Sequence, residues 1–286
     1  MATKSTTKAI PTVNLPAGIP IPVLGQGTWT MGERKHSRRE EILALQRGID
    51  LGMTLIDTAE MYGDGATEEL VAEAIQGRRK EVILVSKVLA SNATTRGTIE
   101  ACERSLRRLK TDRIDLYLLH WRESVPLENT VAAFEKLVRA GKIRFWGVSN
   151  FDVSDMEELM AIPEGSRCQT NQVLYNLSRR GIEYDLLPWC RERKMPIMAY
   201  SPIEQGRLLE DGAVQRVAKR HNATPVQIAL AWVLREKDIN TIPKAGTTQH
   251  VEENRAALNV TLTKEDLAEL DKTFPAPKTK VPLELI

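Results

Sequence analysis

The sequence predicts an α/β fold of the (β/α)8 TIM-barrel class, with an N-terminal β-hairpin and two extra helices. Three observations carry this. Strand-like and helix-like segments alternate eight times with hardly a break. The third strand segment, Val82 to Val88, is apolar continuously up to Lys87 apart from Ser86, as a parallel strand covered on both faces is. The 286 residues match the length of one such barrel. Pattern alone leaves a doubly wound parallel sheet as the alternative. No linker or low-complexity stretch marks a boundary, so residues 1–286 are expected to form a single domain.

Thr12 to Val23 reads as the opening hairpin, turning at Pro16-Ala17-Gly18. The first barrel strand is Leu24 to Thr28. Ser37 caps a helix from about Arg38 to Leu51, with Ile42, Leu43, Leu45, Ile49 and Leu51 on its inner side. The second strand, Thr54 to Asp57, is followed by a helix from about Thr67 to Ile75. The third, Val82 to Val88, precedes a helix over Thr95 to Leu109. The fourth, Ile114 to Leu119, ends in His120, and the helix Leu127 to Ala140 stops at Gly141. The fifth, Ile143 to Val148, ends in Ser149-Asn150 and leads to a helix over Ser154 to Ala161. The sixth, Cys168 to Leu174, contains Gln172 and precedes a helix over Ile182 to Arg193. The seventh, Ile197 to Tyr200, ends at Ser201-Pro202. A helix over Gly212 to His221 runs straight into another, opened by Thr224-Pro225-Val226-Gln227 with a capping box and proline at the first helical position. The eighth strand, Ile239 to Pro243, ends at Lys244. Helices over Gln249 to Leu258 and Thr263 to Lys272 precede a proline-rich tail.

Composition narrows the function classes. With 42% hydrophobic and 27% charged residues the chain is ordinary globular protein. Its 40 basic and 38 acidic residues leave a net charge of +2, which gives no case for nucleic acid or an anionic membrane as partner. Cys102, Cys168 and Cys190 are widely spaced and odd in number, so neither a disulfide framework nor a metal site is indicated. Met1 to Lys8 is polar, without an apolar signal region. No apolar run approaches the ~18 residues of a membrane span. A cytoplasmic protein is expected. A closed barrel exposes no sheet edge that demands a partner, so a monomer is expected.

Active sites of such barrels lie at the carboxyl ends of the strands. The polar residues there are Asp57, Lys87, His120, Ser149-Asn150, Gln172, Tyr200-Ser201 and Lys244, with Tyr62 in the loop after the second strand. A tyrosine titrates near ~10, too high for an ideal neutral-pH acid. An adjacent lysine ammonium favours the phenolate and lowers that value. A carboxylate beside the lysine keeps it charged and fixes its direction. Asp57, Lys87 and Tyr62 therefore form a candidate relay that makes Tyr62 a proton donor. His120 can orient the same substrate oxygen. The set suits carbonyl reduction, with hydride added to carbon and a proton to oxygen.

On these residues the chain resembles the aldo-keto reductases. The matching segments are Leu24-Gly25-Gln26-Gly27-Thr28-Trp29, Asp57 to Tyr62, Val85-Ser86-Lys87, Leu118-Leu119-His120-Trp121, Gly147-Val148-Ser149-Asn150-Phe151, Thr170-Asn171-Gln172-Val173, Ala199-Tyr200-Ser201-Pro202 and Ile242-Pro243-Lys244, in family order. The stretches around Trp146 and from Gly181 to Cys190 look closest to the small bacterial branch that includes methylglyoxal reductases. The resemblance implies a catalytic tetrad of Asp57, Tyr62, Lys87 and His120. It also implies NADP(H), held without a Rossmann domain. Gly25 and Gly27 agree, because they are followed by Thr30 and open no helix.

By the same resemblance, Tyr200 stacks on the nicotinamide, and Ser149, Asn150 and Gln172 bond its carboxamide. Ser201, Pro202, Ile203, Gln205, Gly206 and Arg207 wrap the pyrophosphate, and Glu253 and Asn254 bond the adenine. Gly27, Thr28, Trp29, Asp57, Ile242, Lys244, Ala245, Gly246, Thr247 and His250 complete the implied cofactor set. Trp29, Met61, Tyr62, His120 and Trp121 would line the substrate site.

Two positions depart from the family pattern. A serine after the lysine of Ile-Pro-Lys and an arginine six residues after that lysine usually grip the 2′-phosphate. Here Ala245 and His250 stand there. Alanine donates nothing from its side chain, histidine is mostly neutral at pH 7, and arginine's bidentate grip is lost. Lys244, Thr247 and the start of the following helix still favour an anion. The expectation is NADPH preference with some use of NADH.

The loop Trp121 to Pro126 is short and the tail beyond Phe274 has twelve residues, which argues for an open pocket taking small aldehydes or dicarbonyls. Trp146, Trp189 and Trp232 read as packing. Two rival readings remain. A Schiff-base lysine enzyme would use Lys87 but leaves Tyr200-Ser201-Pro202 unexplained. A non-catalytic or slow nicotinamide-binding sensor or regulatory subunit would keep the fold without needing the whole tetrad.

Overall fold

The computed structural model describes residues 9–33 and 37–286. Met1 to Lys8, read above as a polar segment without a signal region, lies outside the described residues. The chain opens with an antiparallel hairpin of β1 (Thr12–Asn14) and β2 (Pro20–Pro22), turned at Gly18 with φ 78°. Eight parallel strands follow: β3 (Gln26–Gly27), β4 (Leu55–Asp57), β5 (Ile83–Val88), β6 (Ile114–Leu119), β7 (Ile143–Ser149), β8 (Asn171–Leu174), β9 (Ile197–Tyr200) and β10 (Ile239–Thr241). Neighbours in sequence are neighbours in the sheet from β3 to β10. The two ends meet through parallel bridges between Leu24 and Thr241 and between Gly27 and Lys244. The Gly25 amide donates to the Thr241 carbonyl at 2.8 Å, and the Thr241 amide to that of Val23 at 2.8 Å. This closure decides for the barrel over the doubly wound sheet.

Helices α1 (Arg38–Asp50), α2 (Ala66–Ala74), α3 (Thr95–Arg108), α4 (Leu127–Arg139), α5 (Val153–Ala161), α6 (Leu186–Glu192), α8 (Pro225–Leu234) and α9 (Thr248–Ala256) follow successive strands. The expected extra pair is α7 (Gly212–Arg220) and α10 (Lys264–Thr273). Their starts are written in short-range chemistry. Ser37 with Glu40, Asp152 with Asp155, Thr224 with Gln227 and Thr263 with Asp266 each form reciprocal capping boxes.

One helix differs from expectation. Residues 182–193 do not form a continuous helix: a 3-10 turn over Gly181–Glu183 precedes the short α6. Pro188 is the cause. It has no amide to donate and is tolerated only in a helix's first turn, so the helix cannot begin a turn earlier. The sixth strand is also shorter than expected, running from Asn171 to Leu174 after a 3-10 turn over Gly165–Arg167, although Gln169 and Thr170 already exchange backbone bonds with Trp146 and Val148.

The hairpin plugs the amino end of the barrel. Leu15 and Ile21 pack with Leu55, Val85, Leu116, Leu118, Met198 and Ile242 inside it, and the Ala17 amide donates to Gln169 Oε1 at 2.9 Å. The larger core lies between strands and helices, where Trp146 and Trp232 are fully buried and Trp189 nearly so, as expected. The polar strand-end residues Asp57, Lys87, His120, Ser149 and Gln172 gather at the carboxyl ends, away from this plug.

Gly27 sits where β3 meets the last strand. A Cβ there would lie 2.5 Å from the Ile242 carbonyl oxygen. Gly27→Ala is therefore expected to lower the unfolding free energy by about 1–3 kcal/mol, read by urea denaturation. Unchanged stability would show that closure does not need this close approach.

Candidate active site

Three strand ends and one loop place the reactive groups. Asp57 is the last residue of β4, and Lys87 stands near the end of β5. His120 follows β6, and Tyr62 opens a 3-10 turn over Tyr62–Gly65. The Lys87 side chain is fully buried. Its Nζ donates to Asp57 Oδ2 at 2.8 Å, to the Thr58 carbonyl at 2.8 Å and to the Tyr62 hydroxyl at 3.2 Å. An ammonium has three protons to donate, and each finds an acceptor. Burial pushes Lys87 toward the neutral amine, but the Asp57 carboxylate and the Tyr62 oxygen outweigh it, so the net shift is upward and the ammonium persists.

Tyr62 departs from the sequence expectation. Burial raises the phenol, Lys87 pulls it down and Asp57 pushes it up again; the net direction is upward. Lys87 acts with the expected sign, but it limits a rise rather than producing a fall below the ordinary value. Tyr62 is therefore a fully protonated phenol at neutral pH, with the ammonium placed to stabilise the phenolate once the proton leaves.

His120 lies edge-on to Tyr62, ring centroids 5.9 Å apart, and 4.7 Å from the Trp121 ring. Burial first, and then the Lys87 charge, bring its pKa down to about 2, so it is neutral at any working pH. Its Nδ1 is buried without a partner. A proton there would be an unsatisfied buried donor, whereas a bare lone pair costs less. The proton belongs on Nε2, the nitrogen that is not sealed in.

Further bonds tie these groups to the next strands. Gln172 Nε2 donates to Asp57 Oδ1 at 2.8 Å and the Thr28 hydroxyl to the Asp57 carbonyl at 2.8 Å. Ser149 Oγ donates to the Gln172 carbonyl at 2.8 Å. Asn150, with φ 61°, donates from Nδ2 to the His120 carbonyl at 3.0 Å and accepts from the Tyr200 hydroxyl at 3.0 Å. Asp57, Gln172, Ser149, Asn150, Tyr200 and His120 thus form one continuous network. The Gln172 amide nitrogen is directed to Asp57 Oδ1 and Met198 Sδ, which leaves its amide oxygen as the group for a ligand.

The other named positions lie along the same face. Trp29 and Met61 are exposed and Trp121 half-buried, its Nε1 donating to Glu123. Ser201 begins a turn in which Glu204, Gln205 and Gly206 have φ of 51°, 54° and 94°. Pro202 is buried and Ile203 half-buried. The turn is pinned by the buried Glu204 carboxylate, which accepts from Asn176 at 2.7 Å, Arg179 at 3.0 Å and Arg207 at 2.8 Å. After β10, Ile242, Ala245 and Gly246 are buried and Lys244 half-buried. Thr247 caps α9 by accepting from the His250 amide at 3.3 Å, and the His250 side chain is exposed. Glu253 is half-buried and Asn254 buried. Sequence reading missed Glu204, although it sits inside a stretch whose other members were named. It also missed the Thr58 carbonyl, for which no side chain could have been a signal.

Comparison with known proteins bears on this geometry. Residues 23–274 match the model of the aldo/keto reductase family. The chain belongs to that family. It is 54% identical over 273 residues to methylglyoxal reductase YeaE of Escherichia coli, covering 94% of this chain and 96% of that protein. A glyoxal reductase of Bacillus subtilis is 34% identical, covering 91% of each. The crystal structure of an aldo/keto reductase from Klebsiella pneumoniae in complex with NADP and acetate superimposes with a TM-score of 0.94 at 49% identity, over 97% of this chain and 100% of that one. Among the described residues no cluster of His, Cys, Asp and Glu could hold a metal ion, and no helix is long and apolar enough to cross a membrane.

The His120 assignment gives a direct measurement. Its ring proton resonances should not titrate between pH 8 and pH 5, because the group gains a proton only near pH 2. A midpoint for His120 inside that window would overturn the neutral assignment.

Proposed function

We propose that this protein reduces small aldehydes and dicarbonyls of the methylglyoxal type to alcohols, using NADPH and, less well, NADH. The observation that carries the reading is the buried Lys87 ammonium bonded at once to Asp57 and to the Tyr62 hydroxyl, beside a neutral His120. Glyoxal and methylglyoxal reduction among the relatives supports the substrate class.

The residues present fit a nicotinamide dinucleotide. The turn from Ser201 to Arg207 has the left-handed backbone that gathers N–H groups into an anion-binding hollow. The start of α9, capped by Thr247, favours a phosphate. Asn254 carries a buried amide nitrogen to which no protein group offers an acceptor. Ser149 and Asn150 stand at the end of β7 and Tyr200 at the end of β9, and Tyr200 bonds Asn150 across β8. When bound, the nicotinamide supplies the hydride. Tyr62 gives its proton to the carbonyl oxygen as hydride reaches carbon, and His120 donates from Nε2 to hold that oxygen in place. Lys87 stabilises the phenolate left on Tyr62, and Asp57 holds Lys87 in its charged form.

The exposed Trp29 and Met61, with Trp121 against His120, form an apolar mouth that favours small carbonyl compounds. Schiff-base chemistry at Lys87 has no support in this geometry, because all three of its protons are bonded and it stays charged. We read the chain as one barrel domain acting as a monomer, since the closed sheet leaves no edge to pair. Three buried free thiols favour a reducing cytoplasm.

Turnover is read as loss of NADPH or NADH absorbance with methylglyoxal, a simple aromatic aldehyde and a bulky ketone. The small aldehydes should turn over well and the ketone poorly. Tyr62→Phe should cut reduction by about 10²-fold or more while NADPH binds as before; near-normal turnover would remove Tyr62 as the donor. With Ala245 and His250 in place of stronger 2′-phosphate ligands, the NADPH-to-NADH efficiency ratio should stay below ~10³. A larger ratio would sink that argument.

A further inference from the structure

Between Asp57 and Tyr62 the chain leaves the sheet, yet both residues must meet the same lysine. The Asp57 end is held in the ladder, with its residue paired to Val85. The Tyr62 end belongs to no strand. The last backbone rung before it is a long one, from the Glu60 amide to the Lys87 carbonyl at 3.3 Å. What lies beyond that rung is the Glu60 side chain, and it is buried. Glu60 Oε1 accepts from the Leu89 amide at 2.9 Å and from Asn92 Nδ2 at 2.9 Å. Its Oε2 accepts from Arg104 Nη2 at 3.3 Å. One carboxylate therefore fastens the loop after β4 to the segment after β5 and to α3, immediately beside Lys87. Neither the strand-end residues nor the cofactor segments account for it.

We infer that Glu60 is a positioning residue for proton transfer, setting the approach of Tyr62 to Lys87. The inference rests on Tyr62 as the proton donor. The mechanics are simple. The turn carrying Tyr62 begins two residues after Glu60, and the Tyr62 amide bonds only locally, to the Ala59 carbonyl at 3.2 Å. Without the carboxylate, the 3.2 Å contact between Lys87 Nζ and the Tyr62 hydroxyl loses its nearest lateral support, while Asp57 and Lys87 keep theirs. The side-chain hydrogen bonds of Glu60 go to Leu89, Asn92 and Arg104, none of which belongs to the mouth or to the turn from Ser201 to Arg207, so the effect is expected at the chemical step.

The test compares Glu60→Ala, Glu60→Gln and Tyr62→Phe in the full chain. Glu60→Ala should lower kcat by about 10- to 100-fold, the scale of a catalytic group displaced by about 1 Å. The KM for methylglyoxal and the Kd for NADPH should stay within about twofold, since these interactions bind ground state and transition state alike. Glu60→Gln keeps the acceptor facing Leu89 and Asn92 and should recover most of the loss. The primary deuterium isotope effect on kcat, with NADPH deuterated at the transferred position, should rise in Glu60→Ala as chemistry becomes limiting. In alcohol oxidation, which needs the phenolate, the ascending acid-side limb of the pH profile should move to higher pH because the pull of Lys87 on Tyr62 weakens. A merely structural role would lower the active fraction and leave both the isotope effect and the pH limb where they were. If Tyr62→Phe is dead while both Glu60 variants show wild-type kcat, isotope effect and pH limb, this inference fails alone. If Tyr62→Phe turns over normally, the donor assignment fails and the Glu60 inference falls with it.

Discussion

The structure depends on keeping one ammonium charged where no water reaches it. Lys87 is sealed inside the barrel's carboxyl face, and a buried cation is tolerated only when its protons and its charge are answered by protein groups. Three acceptors answer it: the Asp57 carboxylate, the Thr58 carbonyl and the Tyr62 hydroxyl. Removing the Asp57 carboxylate from this set leaves an uncompensated charge, at a cost of about 3–5 kcal/mol. The supporting bonds follow from this. Asp57 is itself braced by Gln172 from β8 and by Thr28 from the loop after β3, so one ion pair ties distant strands of the barrel together. The same positive charge contributes to keeping His120 neutral. In the proposed reaction, that leaves Tyr62 as the group that gives up a proton and His120 as the group that holds the carbonyl oxygen.

Much of this was legible in the sequence, for identifiable reasons. The carboxyl ends of barrel strands form one rim, so polar residues that close an apolar strand stand out: Asp57, Lys87, His120 and Ser149-Asn150 could be named, and their hydrogen bonds join them in the structure. Helix starts were legible because capping is local, as Thr224-Pro225-Val226-Gln227 shows. The helix over 182–193 is shorter than expected because Pro188, with no amide to donate, decides where α6 begins. The net upward shift of Tyr62 was not legible, because desolvation depends on everything packed around the ring. The contact between Gln172 and Asp57 joins residues 115 apart in sequence, and nothing in either neighbourhood announces it. Glu60 and Glu204 were passed over for a related reason. A single glutamate in a loop usually reads as a solvated charge, and only the three-dimensional contacts show these two to be buried and fully bonded.

The two ends of the barrel divide stability from chemistry. At the amino end the hairpin seals the interior with Leu15 and Ile21, apolar groups whose burial needs no partner geometry. At the carboxyl end the chain accepts costs that a stability-optimised surface would avoid. Asn150, Ser201, Glu204 and Gln205 take left-handed backbone conformations that L-residues disfavour, His120 Nδ1 is left without a partner, and Trp29 is exposed. Glu204 illustrates how such a turn is kept. Its carboxylate gathers donors from Asn176, Arg179 and Arg207, and these charge-assisted bonds oppose the backbone strain of the turn they lie in. The strained turn and the buried Lys87 pair are then two solutions to one problem. Each holds polar groups in an arrangement that water would otherwise relax, and each does so with a buried carboxylate, Asp57 in one and Glu204 in the other.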